Sequence, residues 1–330
     1  MDAKTEPSVK IIGIAVLLVA GVWLVYQIRD ILYLLFIAFL LMTAMHPPVI
    51  WFERLKIPRF LSVLITYALI FGGFGFIIAS SIPSLVVQTT RLVQNLPQAM
   101  AKVIPYWNID STSIGQQLGP IGENIIKVTV GIFSNLLATV TVLVFTFYFL
   151  LERRHTKEII TGLVGDVIAE KTVIILREVE IKLGAWVRGE LLLMCTIGVL
   201  VYIGLMILHV EFALPIALIA GALEIIPNIG PIISAIPAVL IALSVSPLFA
   251  LSVVALYIVV QQVENNIIVP IIMKRSIGFS PIVSILAIMI GGRLAGVTGA
   301  ILAVPVLIVC QVLVNKLFIE PSSRTKNPKS

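Results

Sequence analysis

The chain alternates long apolar runs with short charged or proline-bearing breaks. Val9–Ile28 is the first run, Arg29-Asp30 makes a tight break, and Ile31–Met45 follows. The stretch HPPVIWFERLKIPR (46–59) carries Pro47, Pro48, Arg54, Lys56 and Arg59 ahead of a third run, Phe60–Ile82. Further runs cover 132–151, 191–209 and 248–263. Spanning a hydrocarbon core as helix takes about 20 apolar residues, and these runs reach or approach that length. The pattern predicts a bundle of membrane helices.

Two stretches are of another kind. Residues 83–131 are mixed, broken by Pro83, Pro97, Pro105 and Pro120, with an irregular helical stripe at Leu85/Val86, Leu92/Val93 and Leu96. They predict an extracytoplasmic amphipathic segment. Residues 152–190 hold seven Lys/Arg and seven Asp/Glu. Ile159/Ile160, Leu163/Val164 and Val167/Ile168 recur every four residues, and Val179, Leu183, Trp186 and Val187 continue the stripe. That predicts a cytoplasmic amphipathic arm, which lies on the membrane, packs on a partner subunit, or is a solvated face over ordinary packing.

Between the fifth and sixth runs the polar stretch EIIPNIGP (224–231) joins two uncharged arms, 213–223 and 232–245. Arms of 11 and 14 residues make roughly 16–21 Å of helix, short of a core of about 30 Å. A re-entrant hairpin at 213–246 follows, with Pro227 and Pro231 stopping the helices and Gly230 allowing the turn. Residues 281–318 repeat the plan: Pro281 precedes Gly296 by 15 residues, as Pro215 precedes Gly230, and Pro237 and Pro305 interrupt the second arms. Irregular backbone at membrane depth is tolerated only against protein or a watery cavity. Paired broken segments entering from opposite sides mark a transporter's binding site.

Composition removes the soluble alternative. Hydrophobic residues make up 59% of the 330 and charged residues 12%, with a mean hydropathy of +1.10. A soluble domain is nearer 45–50% apolar and about 25% charged. Cys195 and Cys310 lie inside apolar runs and imply no disulfide. The net charge of +6 reflects membrane orientation and not nucleic-acid binding. With the N-terminus cytoplasmic, 18 of the 23 Lys/Arg fall on that side. Arg29, Arg91, Lys102 and Lys127 fall outside, and Arg293 lies in the last hairpin. Such a bias orients a multi-pass protein of the bacterial inner membrane with both termini cytoplasmic, provided each hairpin enters and leaves on one side.

Four stretches in order carry a family resemblance: AWVRGELLLMCTIGVL (185–200), EIIPNIGPIISAIPAVL (224–240), QQVENNIIVPIIM (261–273) and GGRLAGVTGAILAVPV (291–306). Together they resemble the autoinducer-2 exporter family across nearly the whole chain. The resemblance implies secondary transport or export of small molecules. In some relatives this is the furanone signal autoinducer-2, and in others sodium(lithium)/proton antiport. It also implies a homo-oligomer, with a pentamer as the expected form, and a moving hairpin-bearing unit. Glu190 departs from the pattern, since the family usually has glutamine after the Arg-Gly pair, a change that alters ion coupling or is neutral at a position near an interface.

Several residues stand out as pathway candidates. Glu224 ends the first arm; an intramembrane carboxylate usually faces a pathway and suits a proton carrier, or it is a capped glutamate holding the tip. Asn228 and the backbone of Ile229 and Gly230 offer amides and carbonyls to a polar solute, or simply turn the chain. Glu264, with Gln261, Gln262, Asn265 and Asn266, lines a pathway, binds a cation through oxygen, or clasps two helices. Arg293 pairs with Glu224 or Glu264, holds an anionic solute, or snorkels to the inner surface. Arg188, beside Trp186 and Glu190, is expected to anchor the arm at the membrane interface, with contact to substrate as the alternative.

The expected fold class is an all-α polytopic membrane protein, with transmembrane helices, two re-entrant helical hairpins and amphipathic extramembranous helices. Residues 1–82 form an N-terminal scaffold, 83–131 the extracytoplasmic segment and 132–151 a transmembrane helix. Residues 152–190 form the arm, 191–320 a transport unit and 321–330 a polar cytoplasmic tail. No paired aspartates, Ser/His arrangement, HExxH or phosphate-binding loop suggests an enzyme or ATP-driven pump. His46, His155 and His209 share no metal-ligand spacing, so neither metal nor cofactor is expected, only coupling to H+ or Na+. The reading is a secondary active exporter of a small polar solute, with a sodium(lithium)/proton antiporter or a passive channel as alternatives. Its partners are membrane lipid, the solute and further copies of itself.

Overall fold

The computed structural model describes residues 6–73, 87, 91, 136–226, 230–273 and 279–319. All but Val87 and Arg91 of the expected extracytoplasmic segment, the tail 321–330, and Pro227 and Asn228 lie outside these residues. The described residues are helical throughout, joined by short turns. By length and apolar composition, four helical stretches suffice to cross a membrane, Arg29–Arg54, Asp166–Ile207, Pro247–Ile272 and Ile282–Phe318, although the last is folded back on itself at Ala295–Gly296.

Helix α1 (Glu6–Gln27) runs into α2 (Arg29–Arg54) with only Ile28 leaving helical geometry, at φ −97° and ψ 9°. Ile28 N–H donates to Leu24 O and Leu32 N–H to Ile28 O, so the helical ladder is carried across the joint. The break expected at Arg29-Asp30 is therefore a bend and not a reversal. Neither residue stops a helix: Asp30 sits in the first turn of α2, where a negative charge is favourable, and the Arg29 guanidinium lies 4.3 Å from the Tyr26 ring centroid. The reversal that put the N-terminus on the side of residues 46–59 is absent.

A short turn leads to α3 (Arg59–Tyr67), which ends in a π turn, Ala68–Gly72. Helix α4 (Leu136–Glu152) follows, then a 3-10 turn, Arg153–His155, and α5 (Thr156–Val164). Gly165, at φ +77°, reverses the chain into α6 (Asp166–Ile207). No break separates the arm from the fifth run at 190/191: α6 is one helix of 42 residues. Gly184 and Gly189 do not interrupt it, because both are used for contact. A Cβ on Gly184 would lie 2.6 Å from Thr43 O of α2, and one on Gly189 2.9 Å from the Met273 sulfur. The arm's apolar stripe is split in consequence. Val179, Leu183, Trp186 and Val187 are buried, whereas Ile159, Leu163, Val164, Val167 and Ile168 are exposed.

His209 and Phe212, both in the left-handed region, turn the chain from α6 into α7 (Ala213–Leu223). Helix α8 (Gly230–Val245) folds back on α7, and Ser246 caps α9 (Pro247–Val263) by accepting from Phe249 N–H at 3.1 Å. A π turn, Glu264–Ile268, and a last turn, Val269–Ile272, extend α9. Helix α10 (Pro281–Val314) is not a straight rod. Ala295 and Gly296 leave helical geometry, Gly296 with φ +60°, and a Cβ on Gly291 would collide with Gly299 O. Eight residues of straight helix would separate those glycines by about 12 Å. The chain doubles back there, into limbs 281–294 and 297–314. Helices α7 and α8 thus form one helix pair and the two limbs of α10 another, with Gly230 at the start of α8 and Gly296 at the α10 reversal.

Three buried clusters hold the bundle. Ile197, Val201 and Leu205 of α6 pack with Ile216 and Ala220 of α7, Ala238 and Ile241 of α8, and Val253 and Tyr257 of α9. Val179, Leu183, Trp186 and Leu193 of α6 pack with Leu40 and Ala44 of α2 and with Leu302, Ile308 and Val312 of α10. Met42, Met45 and Val49 of α2 meet Val63 of α3 and Leu150 of α4. One end of the bundle is tied by charge. Arg59 donates to Glu53 Oε1 at 3.1 Å and, through Nε, to Leu150 O at 2.9 Å. Arg153 donates to Glu180 Oε2 at 2.9 Å and lies 2.6 Å from His46 Nε2, while Lys316 is 3.1 Å from Glu178. The basic stretch 46–59, the arm and Lys316 therefore share one side of the bundle, as the charge pattern required of them.

The fold makes a direct prediction at the second reversal. Replacing Gly299 with valine forces backbone apart inside α10 and should cost about 1–3 kcal/mol, the usual range for overpacking. A thermal melt of the purified protein in detergent, unchanged in Gly299→Val, would show that the limbs do not meet there.

Candidate functional site

Three carboxylates from separate parts of the chain are buried together. Glu190 is 4% exposed, Glu224 2% and Glu264 3%. Each is positioned differently. Glu190 lies mid-way along α6, one helical turn after Trp186 on the same face. Glu224 closes the last turn of α7, its N–H donating to Ala220 O at 3.2 Å. Gly230 seals the hairpin against it, since a Cβ there would come within 2.6 Å of Glu224 N. Glu264 opens the π turn at the end of α9. Such turns shift side chains off the regular helical face and are frequent at functional sites.

The Glu224 and Glu264 carboxyls lie within hydrogen-bonding reach of each other. Glu190 is close enough to repel both. The Gln261 amide sits beside Glu264, one turn back on α9. Among the described residues no lysine, arginine or histidine pairs with any of the three. The unsatisfied buried side-chain atoms of the described structure are Glu190 Oε1, Glu224 Oε2, Glu264 Oε2, Gln261 Nε2 and Trp186 Nε1. Three acceptors and two donors, all on α6, the first hairpin and α9, lack well-directed partners. Buried polar atoms are nearly always satisfied, so such a concentration marks a place built to receive something polar. Two facing carboxyls are reconciled by a shared proton or by a cation between them. Among the described residues no three His, Cys, Asp or Glu side chains converge as metal ligands would.

The remaining candidates distribute unevenly. Gly230 and Pro231 are buried at the hairpin tip. Gln261 faces inward with Glu264, but Gln262, Asn265 and Asn266 face outward, and Asn266 donates to Gln262 Oε1 at 2.8 Å. Those three do not join the carboxylates. Arg293 is exposed next to the α10 reversal and makes no ion pair with Glu224 or Glu264. The expected interface group is also redistributed. Trp186 is buried in the bundle, and Arg188 donates to Thr43 O of α2 at 3.2 Å. Glu190 joins the carboxylate cluster instead of anchoring the arm. The signal for this was an acidic residue at the head of an apolar run. Reading it required knowing that α6 continues unbroken past residue 190.

The cluster predicts coupled energetics. A glutamine at 190 or at 264 offers a donor to an orphaned oxygen, so Glu190→Gln and Glu264→Gln should each raise the unfolding temperature. The double variant should depart from additivity by about 0.5–3 kcal/mol, as for residues in one network. Thermal unfolding of the two single variants and the double variant checks this; strict additivity would mean that the two side chains do not interact.

Comparison with known proteins agrees with the resemblance. The model of the AI-2E family transporter matches residues 12–319. YrrI of Bacillus subtilis is 30% identical over 309 residues, covering 88% of this chain and 87% of its own. YhhT of Escherichia coli is 26% identical over 308 residues, covering 90% and 87%. Both carry names that class them as candidate transport proteins. The AI-2 transport protein TqsA of Escherichia coli is 37% identical, over 116 residues and 35% of this chain. The relatives are described as transport proteins and not as enzymes. With apolar helices of spanning length, an all-α architecture and a match over nearly its whole length, this chain is a multi-pass membrane protein that belongs to the AI-2E transporter family.

Proposed function

We propose that the protein is a secondary active transporter of the bacterial inner membrane, exporting a small polar solute of the autoinducer-2 kind. The observation that carries this is the buried set Glu190, Glu224, Glu264 and Gln261, gathered from α6, the first hairpin and α9 without a counter-charge among the described residues. Charged groups at membrane depth are costly, and they are retained where a pathway uses them. The two helix pairs supply the short arms of re-entrant hairpins: α7 is roughly 16 Å long and the first limb of α10 about 21 Å, against a core of about 30 Å. Residues 191–320 would move as the transport unit against a scaffold that includes α2, with Glu224 at the end of α7 and Arg293 near the α10 reversal. The partial likeness to the AI-2 transport protein TqsA supports the solute class.

Sodium(lithium)/proton antiport is the second reading, and the facing carboxyls favour it, because they can exchange a shared proton for a cation. Counterflow in proteoliposomes separates the two. Saturable, gradient-driven flux of labelled autoinducer-2 should fall at least about tenfold in Glu224→Gln, the loss that corresponds to 1.4 kcal/mol. Gradient-dependent sodium movement without flux of the signal would assign the protein to antiport. Unchanged flux in Glu224→Gln would remove the carboxylate cluster from the pathway.

A further inference from the structure

The turn between α2 and α3 lies where lipid meets water. The apolar spanning stretch of α2 closes at Arg54, and α3 opens with the exposed Phe60, Leu61 and Leu64. Trp51, 58% exposed, stands one helical turn before the exposed Leu55. Exposed apolar side chains therefore come within about 5 Å of the turn along the axis of α2. Tryptophan at the end of a span favours the headgroup level. That layer is roughly 5–7 Å deep on each side, since a bilayer of about 40–45 Å has a core of about 30 Å. Arg54 and Lys56 thus stand among lipid headgroups.

The turn carries more positive charge than the fold uses. Glu53 is the only acidic residue between His46 and Phe60. Both of its oxygens are taken, Oε1 by Arg59 at 3.1 Å and Oε2 by Arg154 at 3.2 Å. Arg54 and Lys56 are exposed and make no ion pair among the described residues. Arg154 keeps 61% of its side chain exposed even while paired. Arg54, Lys56, Arg59 and Arg154 therefore gather about a single carboxylate.

One of these cations is held against the preference of its own backbone. Lys56 N–H donates to Glu53 O at 2.9 Å and Ile57 N–H to Phe52 O at 3.4 Å, the two bonds of a Schellman helix stop. The left-handed residue of that stop is Lys56, at φ +65°. Glycine is the usual occupant, because a Cβ is strained there. Water or a zwitterionic headgroup would be met equally well by glycine or asparagine at this place. A strained residue points to a use for its side chain, and what Lys56 adds is one more charge.

The fitting occupant is anionic at the headgroup level and apolar below it, where Trp51, Leu55 and Phe60 are exposed. A phosphatidylcholine headgroup brings its own cation and leaves the cluster uncompensated, whereas an anionic phospholipid neutralises it. We propose that the α2–α3 turn is a binding site for an anionic phospholipid of the leaflet at this end of the bundle. Arg54 and Lys56 hold its phosphate, Arg154 stands at the rim, and its acyl chains lie against Trp51, Leu55 and Phe60. The bilayer as a solvent asks only that the turn be polar; this site selects headgroups by charge. It does not depend on which solute is carried.

The test uses the full chain in nanodiscs of phosphatidylcholine, alone or mixed with phosphatidylglycerol. Native mass spectrometry from the mixed discs should find phosphatidylglycerol retained by the wild type, and about tenfold less or lower still in Arg54→Gln/Lys56→Gln. Lys171→Gln removes an exposed charge of α6 nine residues before Glu180, and should retain the lipid as the wild type does. Lys56→Gly separates charge from backbone. Relieved of strain, it should melt a few degrees above the wild type in phosphatidylcholine, and gain less than the wild type when phosphatidylglycerol is added. Lys56→Arg, which keeps the charge, should keep the lipid. Equal retention by the wild type and the double variant, or the same loss in Lys171→Gln, would overturn the site. So would a Lys56→Gly protein that melts no higher than the wild type in phosphatidylcholine, or that gains as much from phosphatidylglycerol.

Discussion

In a bilayer an apolar side chain gains little by leaving lipid for protein, so helix association rests on close van der Waals fit. Here that fit is made chiefly along α6. Gly184 lets α2 approach, Gly189 admits Met273, and Gly198 brings α6 against Ala217 and Gly221 of α7. Two of the three buried clusters contain α6 side chains, one toward the first hairpin and α9, the other toward α2 and α10. A side chain larger than hydrogen at Gly184 would meet the Thr43 carbonyl and separate α6 from α2, while one at Gly189 would displace Met273.

The same helix sets the chemistry. Because α6 runs unbroken through residue 190, Glu190 is carried into the bundle beside the ends of α7 and α9. Glu224 and Glu264 arrive there for another reason. Each occupies a place where its helix ends or changes pitch, and an interrupted helix is the natural site for polar groups in an apolar layer. The arrangement stores unfavourable contacts between like groups and leaves buried atoms without partners. Sites of this kind are less stable than an apolar packing of the same volume would be, which is the usual relation between function and stability.

At the charged end the balance is reversed. Glu53, Glu178 and Glu180 are each paired, with Arg59 and Arg154, with Lys182 and Lys316, and with Arg153. Partly exposed pairs of this sort add little individually. Joined in a network they fix the relative heights of α2, α3, α4, α6 and the end of α10. They thereby set the depth at which the carboxylate cluster lies in the bundle.

Much of this was legible from residue order, because burial in lipid demands apolar length and helix breaks demand particular residues. The apolar runs, the two helix pairs with glycines at their reversals, and the candidacy of Glu224 and Glu264 all follow from local pattern. Local pattern failed where a residue's effect depended on its neighbours in space. Arg29-Asp30 looked like a break, yet charged residues sit readily in a first helical turn beside Tyr26. Gly184 and Gly189 gave no sign that they mark contacts within one long helix. Gln262, Asn265 and Asn266 looked like partners of Glu264, but all three lie on the exposed side of the helix end whose buried side carries Glu264. What the sequence determined by itself is that this is a multi-pass helical protein with interrupted apolar runs, since hydropathy and helix breaking are properties of the chain. That Glu190, Glu224 and Glu264 meet was decided only by tertiary structure, because proximity between residues 34 and 40 positions apart depends on how three helices pack.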